Sequence, residues 1–260
     1  MLKTEWIAIF ICVFAALLHG LSGFGFPMMS TAALSTQYSL SQSVAFVILP
    51  CLVLNLFLLN ADPQRSIIQS IAYYGRSYYP IISSSILGSF LGVRLLLWLN
   101  EGYLKLFMGT ILILYVLDQF RRQPWQVKTS TINMIIFGFL AGIVGGATNA
   151  MAPFLMIYLL SSQLPKKDII IVSNLNFMAG KLIQLIMLFP ILMNLNTHQH
   201  VLILLIAIFA LLGVWTGQKL QVHLSQQHFR VLIFVLLFLL GLHALWQSAN
   251  LLQYTHSLLK

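Results

Sequence analysis

Long apolar runs separated by short polar connections occupy almost the whole chain, so the pattern predicts membrane helices rather than a soluble amphipathic fold. The first run starts near Trp6 and leads into a glycine-rich stretch, after which a short helix is expected from Pro27 to about Thr36. Taken as one straight helix, these would reach roughly 45 Å against a hydrocarbon core of about 30 Å, so a broken or re-entrant arrangement is expected. A second span covers about Leu40 to Leu59, with Pro50 and Asn55 inside it. The loop Asn60 to Arg65 follows, and Ser66 to Tyr79 suits an interfacial helix or the lower end of the next span. Further spans are predicted over Pro80–Leu99 and Tyr103–Leu117. After a basic connector, Ile132–Val144 leads to a second break and a short helix from Pro153 to about Leu160. Spans over Ile169–Leu192, Val201–Thr216 and Phe229–Trp246 complete the chain, ahead of a short amphipathic tail. The fold class is all-α and polytopic, with about eight crossings.

The two breaks match each other. Gly20-Leu21-Ser22-Gly23-Phe24-Gly25-Phe26-Pro27 lies over Gly146-Ala147-Thr148-Asn149-Ala150-Met151-Ala152-Pro153, pairing Gly20 with Gly146, Ser22 with Thr148 and Pro27 with Pro153. Leu34-Ser35-Thr36-Gln37 falls on Leu160-Ser161-Ser162-Gln163 at the same offset. With a one-residue adjustment, Gly88-Ser89-Phe90-Leu91-Gly92-Val93-Arg94-Leu95 falls on Gly213-Val214-Trp215-Thr216-Gly217-Gln218-Lys219-Leu220, and Lys105 on Arg230. An internal duplication is therefore expected: residues 1–118 as a first transmembrane repeat, 119–130 as a basic connector and 131–260 as the second repeat. Broken helices in corresponding positions of two halves point to a transport site.

Composition narrows the class. Hydrophobic residues make up 59% of the chain and charged residues 7%, whereas a soluble domain carries about 25% charged residues. The net charge of +9 is spread between the spans, as cytoplasmic loops show, which disfavours nucleic acid as a partner. Cys12 and Cys51 lie in apolar segments and read as free buried thiols. No metal-ligand cluster, phosphate loop or nucleophilic triad is present, so neither a cofactor nor enzyme chemistry is expected.

The candidate substrate residues follow from the physics of a broken helix. Freed peptide groups at membrane depth are tolerated where they are buried or line a cavity. The N-terminus of each post-break helix offers unpaired N–H groups and the positive end of a dipole. Ser22, Gly23 and Gly25 in the first break, with Thr148 and Asn149 in the second, thus outline an anion site; the alternative is that the hydroxyls only satisfy freed carbonyls and the glycines only permit close packing. Lys181 lies deep in a span, and Asn174 and Asn176 precede it by one to two turns. No carboxylate sits at its depth, so a substrate anion would supply the missing charge, the alternative being an ammonium that snorkels to the membrane surface. Its counterpart in the first repeat is Asn55. Arg94 and Lys219 near span ends suit snorkelling to headgroups, or the mouth of a pathway that attracts anions. His19 abuts the first break, in a position to relay a proton or to serve structurally.

Together these features resemble the TauE/SafE family, the sulfite-exporter-like transporters also called TSUP. The resemblance spans nearly the whole chain. It rests on the length, the two related halves, the glycine-rich break opening each half and the Gly-x-x-x-Gly-x-basic-Leu turns. It implies a multi-pass protein of the bacterial inner (cell) membrane that moves a small anion, in this family often a sulfur-containing one such as sulfite or an organosulfonate. In the family the second break usually carries further glycine ahead of its proline, where this chain has Asn149, Ala150, Met151 and Ala152. An anion channel and a membrane-embedded enzyme are the alternatives. Partners are the small anionic substrate and the lipid bilayer; the sequence leaves oligomeric state open.

Overall fold

The computed structural model describes residues 3–59, 64–121, 125–220 and 226–258, and every regular element among them is helical. Asp62 and Arg122, part of the expected loop and connector, lie outside the described residues, as does His223. So does the side chain of Arg230, the expected counterpart of Lys105. The elements are α1 (Lys3–Ser22), α2 (Phe26–Leu34), α3 (Leu40–Phe46), α4 (Ile48–Leu59), α5 (Ile67–Ser77), α6 (Tyr79–Trp98) and α7 (Glu101–Gln119). They continue with α8 (Thr131–Thr148), α9 (Ala152–Ser161), α10 (Lys166–Met187), α11 (Phe189–Met193), α12 (Thr197–Leu220) and α13 (Gln226–Leu258).

Polarity is arranged as a membrane protein requires. Large apolar side chains such as Phe10, Ile68, Leu87, Trp98, Ile132 and Trp246 point outward, while Thr31, Asn55, Thr148, Asn174, Asn176 and Lys181 are buried. Outer apolar surface costs nothing against lipid, and buried polar groups mark the functional interior. Six stretches are long and apolar enough to cross a membrane: Glu5–Ser22, Leu40–Leu59, Tyr79–Trp98, Thr131–Thr148, Lys166–Met187 and Thr197–Leu220. The other two expected spans form helices α7 and α13, which pack along each other but are not among those six. In α13 the apolar part is Leu237–Leu252, and the helix runs on through the expected tail to Leu258.

Prolines divide two segments expected to be continuous. Pro50 has no N–H to bond the Phe46 carbonyl, and the Leu40–Leu59 span is split at Val47 into α3 and α4. Pro190 does the same to the Ile186 carbonyl, so the expected Ile169–Leu192 span ends at Met187 and α11 follows separately. Residues 66–79 yield an independent helix, α5, opened by a capping box between Ser66 and Gln69.

Among the most extensively packed helix pairs are α6 with α8 and α1 with α12. Glycine makes both possible. A methyl group at Gly92 would strike the Ile143 carbonyl oxygen, and one at Gly217 would strike that of Leu17. Side-chain-free positions let backbones approach where lipid supplies no hydrophobic drive for helix association. Helix α10 packs between α4 and α6 and touches α8, so it carries its polar residues through the middle of the bundle.

Candidate functional site

Each break comprises three residues outside helical structure, Gly23–Gly25 and Asn149–Met151, and is shorter than the sequence pattern suggests because α1 and α8 run through Ser22 and Thr148. The two use the same local bonds. Gly23 N–H donates to His19 C=O at 2.7 Å, and Asn149 N–H donates to Gly145 C=O at 2.9 Å. Gly23 has φ +85° and Asn149 φ +63°, a left-handed helix end that glycine and asparagine adopt most readily. The hydroxyls behave alike. Ser22 Oγ lies 2.8 Å from Leu18 O and accepts from Phe24 N–H at 3.4 Å. Thr148 Oγ1 donates to Val144 O at 2.8 Å and accepts from Ala150 N–H at 3.3 Å. Both hydroxyls therefore satisfy backbone freed by the break. Pro27 and Pro153 each occupy the second position of the helix that follows, where a missing N–H costs nothing.

Around the second break the structure brings Lys181 together with Asn149. The Lys181 ammonium donates to Asn149 Oδ1 and, at 2.6 Å, to Gln184 Oε1. Gln184 Nε2 donates to Gly145 O at 3.0 Å, Gly146 O at 3.2 Å and Asn149 Oδ1 at 2.8 Å. Asn149 Nδ2 in turn donates to Thr31 Oγ1 on α2 at 2.6 Å. Lys181 is 4% exposed and Thr31 and Gln184 are buried. The ammonium thus rests against two amide oxygens at the C-terminus of α8, whose dipole end is negative. It has no carboxylate partner among the described residues. Gln184 and Thr31 were not singled out from the sequence. Their signal was weak: a glutamine one turn after the lysine, and a threonine one turn after Pro27.

The first break meets α10 one level away. Asn174 Nδ2 donates to Gly23 O at 3.1 Å and to Ile170 O at 2.7 Å, while its Oδ1 has no partner. His19 is buried with Nδ1 unpartnered and faces the Asn174 side chain. Asn174 and Lys181 are seven residues apart, about 10 Å along the helix axis, and straddle the middle of α10. Asn55, on α4 against α10, is fully buried with neither amide atom bonded. Asn176 stands apart: it donates to Val172 O at 2.8 Å and accepts from Ser85 Oγ at 2.9 Å, tying α10 to α6. Arg94 and Lys219 are exposed and lie over aromatic rings one turn earlier on their own helices, 5.4 Å from Phe90 and 3.6 Å from Trp215.

A cavity of about 410 Å³ opens beside the first break. Ser22 and Gly25 reach it, Gln119 and Lys166 border it, and much of the wall is apolar, including Met28, Met156 and Ile170. Lys181 and Asn149 do not line it, and neither do Arg94 or Lys219. The same construction thus has one break beside a cavity and the other packed around a lysine.

In comparisons with known proteins, the model of the family described as sulfite exporter TauE/SafE matches residues 8–244, nearly the whole chain. No curated protein and no solved structure matches.

Proposed function

The chain belongs to the TauE/SafE sulfite exporter family, a family of membrane transporters, and from that premise we propose that it carries a small anion through a site built on its two helix breaks. The protein is an integral multi-pass membrane protein that takes a small-molecule substrate in a lipid environment. The substrate in this proposal is a sulfur-containing oxyanion or organosulfonate, and the membrane is the bacterial inner membrane. The carrier is built of eight crossings in two repeats, 1–118 and 131–260, joined by the connector 119–130.

One observation carries the proposal: a lysine ammonium buried inside the helix bundle, held by amide oxygens alone. An isolated charge there is costly, and a substrate anion at Lys181 would neutralise it. Asn149 and Gln184 suit the exchange, because an amide offers either an oxygen to the ammonium or an N–H to an oxyanion. Asn149 then forms one half of the pathway, and Thr148, its hydroxyl engaged by Val144 and Ala150, holds the break in shape. Gly23, Gly25 and Asn174 form the other, shaped by the Ser22 hydroxyl's bonds to its own break, with Asn55 on α4 against α10. Arg94 and Lys219 serve at the outer surface. Asn176 fits a structural link better than a substrate contact, because its amide is already spent on Val172 and Ser85.

Reciprocal packing supports the duplication. Gly20 abuts Val214 while Gly146 abuts Ser89; Gly88 abuts Phe139 while Gly213 abuts Val13. Each contact is the other's counterpart under the repeat alignment, which a chance resemblance of apolar sequence would not produce. Two such halves moving against each other around a fixed site would give alternating access.

The test is initial transport rate against anion concentration in proteoliposomes, on variants matched for folded protein. Lys181→Met is expected to fold, with unchanged or raised thermal stability, since the ammonium's desolvation cost disappears. Uptake should fall at least about tenfold, the scale of one charge-assisted contact. Lys181→Arg, which keeps the charge in a different shape, should retain part of it. Parent-like transport by Lys181→Met would overturn the assignment.

A further inference from the structure

The cavity beside the first break is a poor fit to a small inorganic anion. Its 410 Å³ corresponds to the share of roughly a dozen waters, of which a four-atom oxyanion would fill a small part. Oxyanions need donors, yet most of the wall, including Leu18, Leu21, Phe24, Met28, Met156 and Ile170, is apolar, and the polar side chains lining it are Ser22, Tyr115, Gln119 and Lys166. At the border the chemistry changes. Lys166 is exposed at the start of α10, without an ion-pair or hydrogen-bond partner among the described residues, and no Asp or Glu lines the cavity. Gln119, at the end of α7, borders the same space.

We propose that this cavity receives an organic anion with an apolar body on the order of six to eight carbons, or one aromatic ring, in a volume typical of small-molecule pockets. Its head group is held at the border by Lys166, and its body lies against the methionine and isoleucine wall leading to the first break. The proposal rests on anion transport as given above and narrows the substrate to an amphiphilic organic anion. Burial of the body supplies the affinity, and the border cation together with the lack of acidic lining supplies the preference for negative charge.

The test is calorimetric binding of sodium alkanesulfonates, from methanesulfonate to octanesulfonate, to the full chain in nanodiscs, with empty nanodiscs as the partition control. Affinity should rise about fourfold per methylene and level off between six and eight carbons. Octan-1-ol, equal in length but uncharged, should bind at least tenfold more weakly than octanesulfonate. Lys166→Gln should erase most of that difference. Leu160→Trp, at a rim position that is 53% exposed and tolerant of bulk, should blunt the gain with chain length. Affinity independent of chain length overturns the proposal, and so does octan-1-ol binding as tightly as octanesulfonate, which would mark a lipid-tail groove. The two levels remain distinguishable. Flat binding with intact Lys181-dependent sulfite uptake removes the amphiphilic substrate and keeps the carrier. Steep binding without uptake of any labelled anion keeps the ligand and removes the carrier.

Discussion

Two asparagines show how much a single residue decides in this interior. Asn149 meets two demands at once: a left-handed backbone and a side chain that accepts from Lys181 and Gln184 while donating to Thr31. Asn149→Gly keeps the backbone and removes the side-chain bonds, so it should fold with a modest loss of stability and a large loss of transport. Asn149→Val should cost at least about 2 kcal/mol in thermal unfolding, from left-handed strain in a β-branched residue and from lost bonds to a charged group. If both variants unfold alike, backbone conformation is not what selects asparagine there. Asn55 presents the opposite case, because neither of its amide atoms is bonded. Asn55→Leu should raise stability by about 1–3 kcal/mol, the desolvation cost of an unsatisfied amide. A simultaneous fall in uptake would place Asn55 on the pathway, whereas unchanged uptake would make it a bystander. Lys181 was legible as a functional candidate from its depth alone. Its amide partners were not, because they sit on another helix or carried no distinguishing signal.

At the scale of elements, short sequence features had long-range consequences. The glycine–hydroxyl–proline pattern located both breaks, and α2 and α9 begin one residue ahead of Pro27 and Pro153. At Pro50 and Pro190 an apolar run continues but a carbonyl loses its partner and the helix divides, although Leu40–Leu59 as a whole keeps the length and hydropathy of a span. Glycine packing offers a test of the duplication. Gly92 faces α8 as Gly217 faces α1, each against a backbone carbonyl. Gly92→Leu and Gly217→Leu should each force a helix pair apart and cost about 1–3 kcal/mol or more, measured as the shift in thermal unfolding in detergent. Comparable losses are expected because the contacts are counterparts. A severe effect at one position and none at the other would count against equivalent halves.

For the whole molecule, the placement of polar ends predicts topology. Near the N-terminus of α1, Glu5 accepts from Tyr38 Oη beyond α2 and lies 3.5 Å from His198 Nε2 on α12. At the far end of α1, Ser22 shares a cavity with Gln119 and Lys166. Glu5 and Lys166 should therefore face opposite sides of the membrane. In a background lacking the buried Cys12 and Cys51, Asn194→Cys and Lys166→Cys should be labelled by an impermeant maleimide from opposite sides of right-side-out and inverted vesicles. Labelling of both from one side would refute this orientation and, with it, the crossing of the membrane by α10.

The sequence by itself determined the class of protein and marked the glycine, proline and lysine positions around which its helices end or carry buried charge. Those properties are local: hydropathy sets what lies in lipid, and glycine, proline and a lone charge disturb a helix wherever it packs. Only the tertiary structure decided that Asn149, Gln184 and Thr31 surround or support the Lys181 cluster, that Asn176 is spent on α6, and that the first break borders a cavity that Lys181 and Asn149 do not line. Those outcomes depend on which helix faces which. In this bundle that is set by backbone contact at glycines far apart in the chain, such as Gly92 against Ile143 and Gly217 against Leu17, a pairing that no single segment encodes.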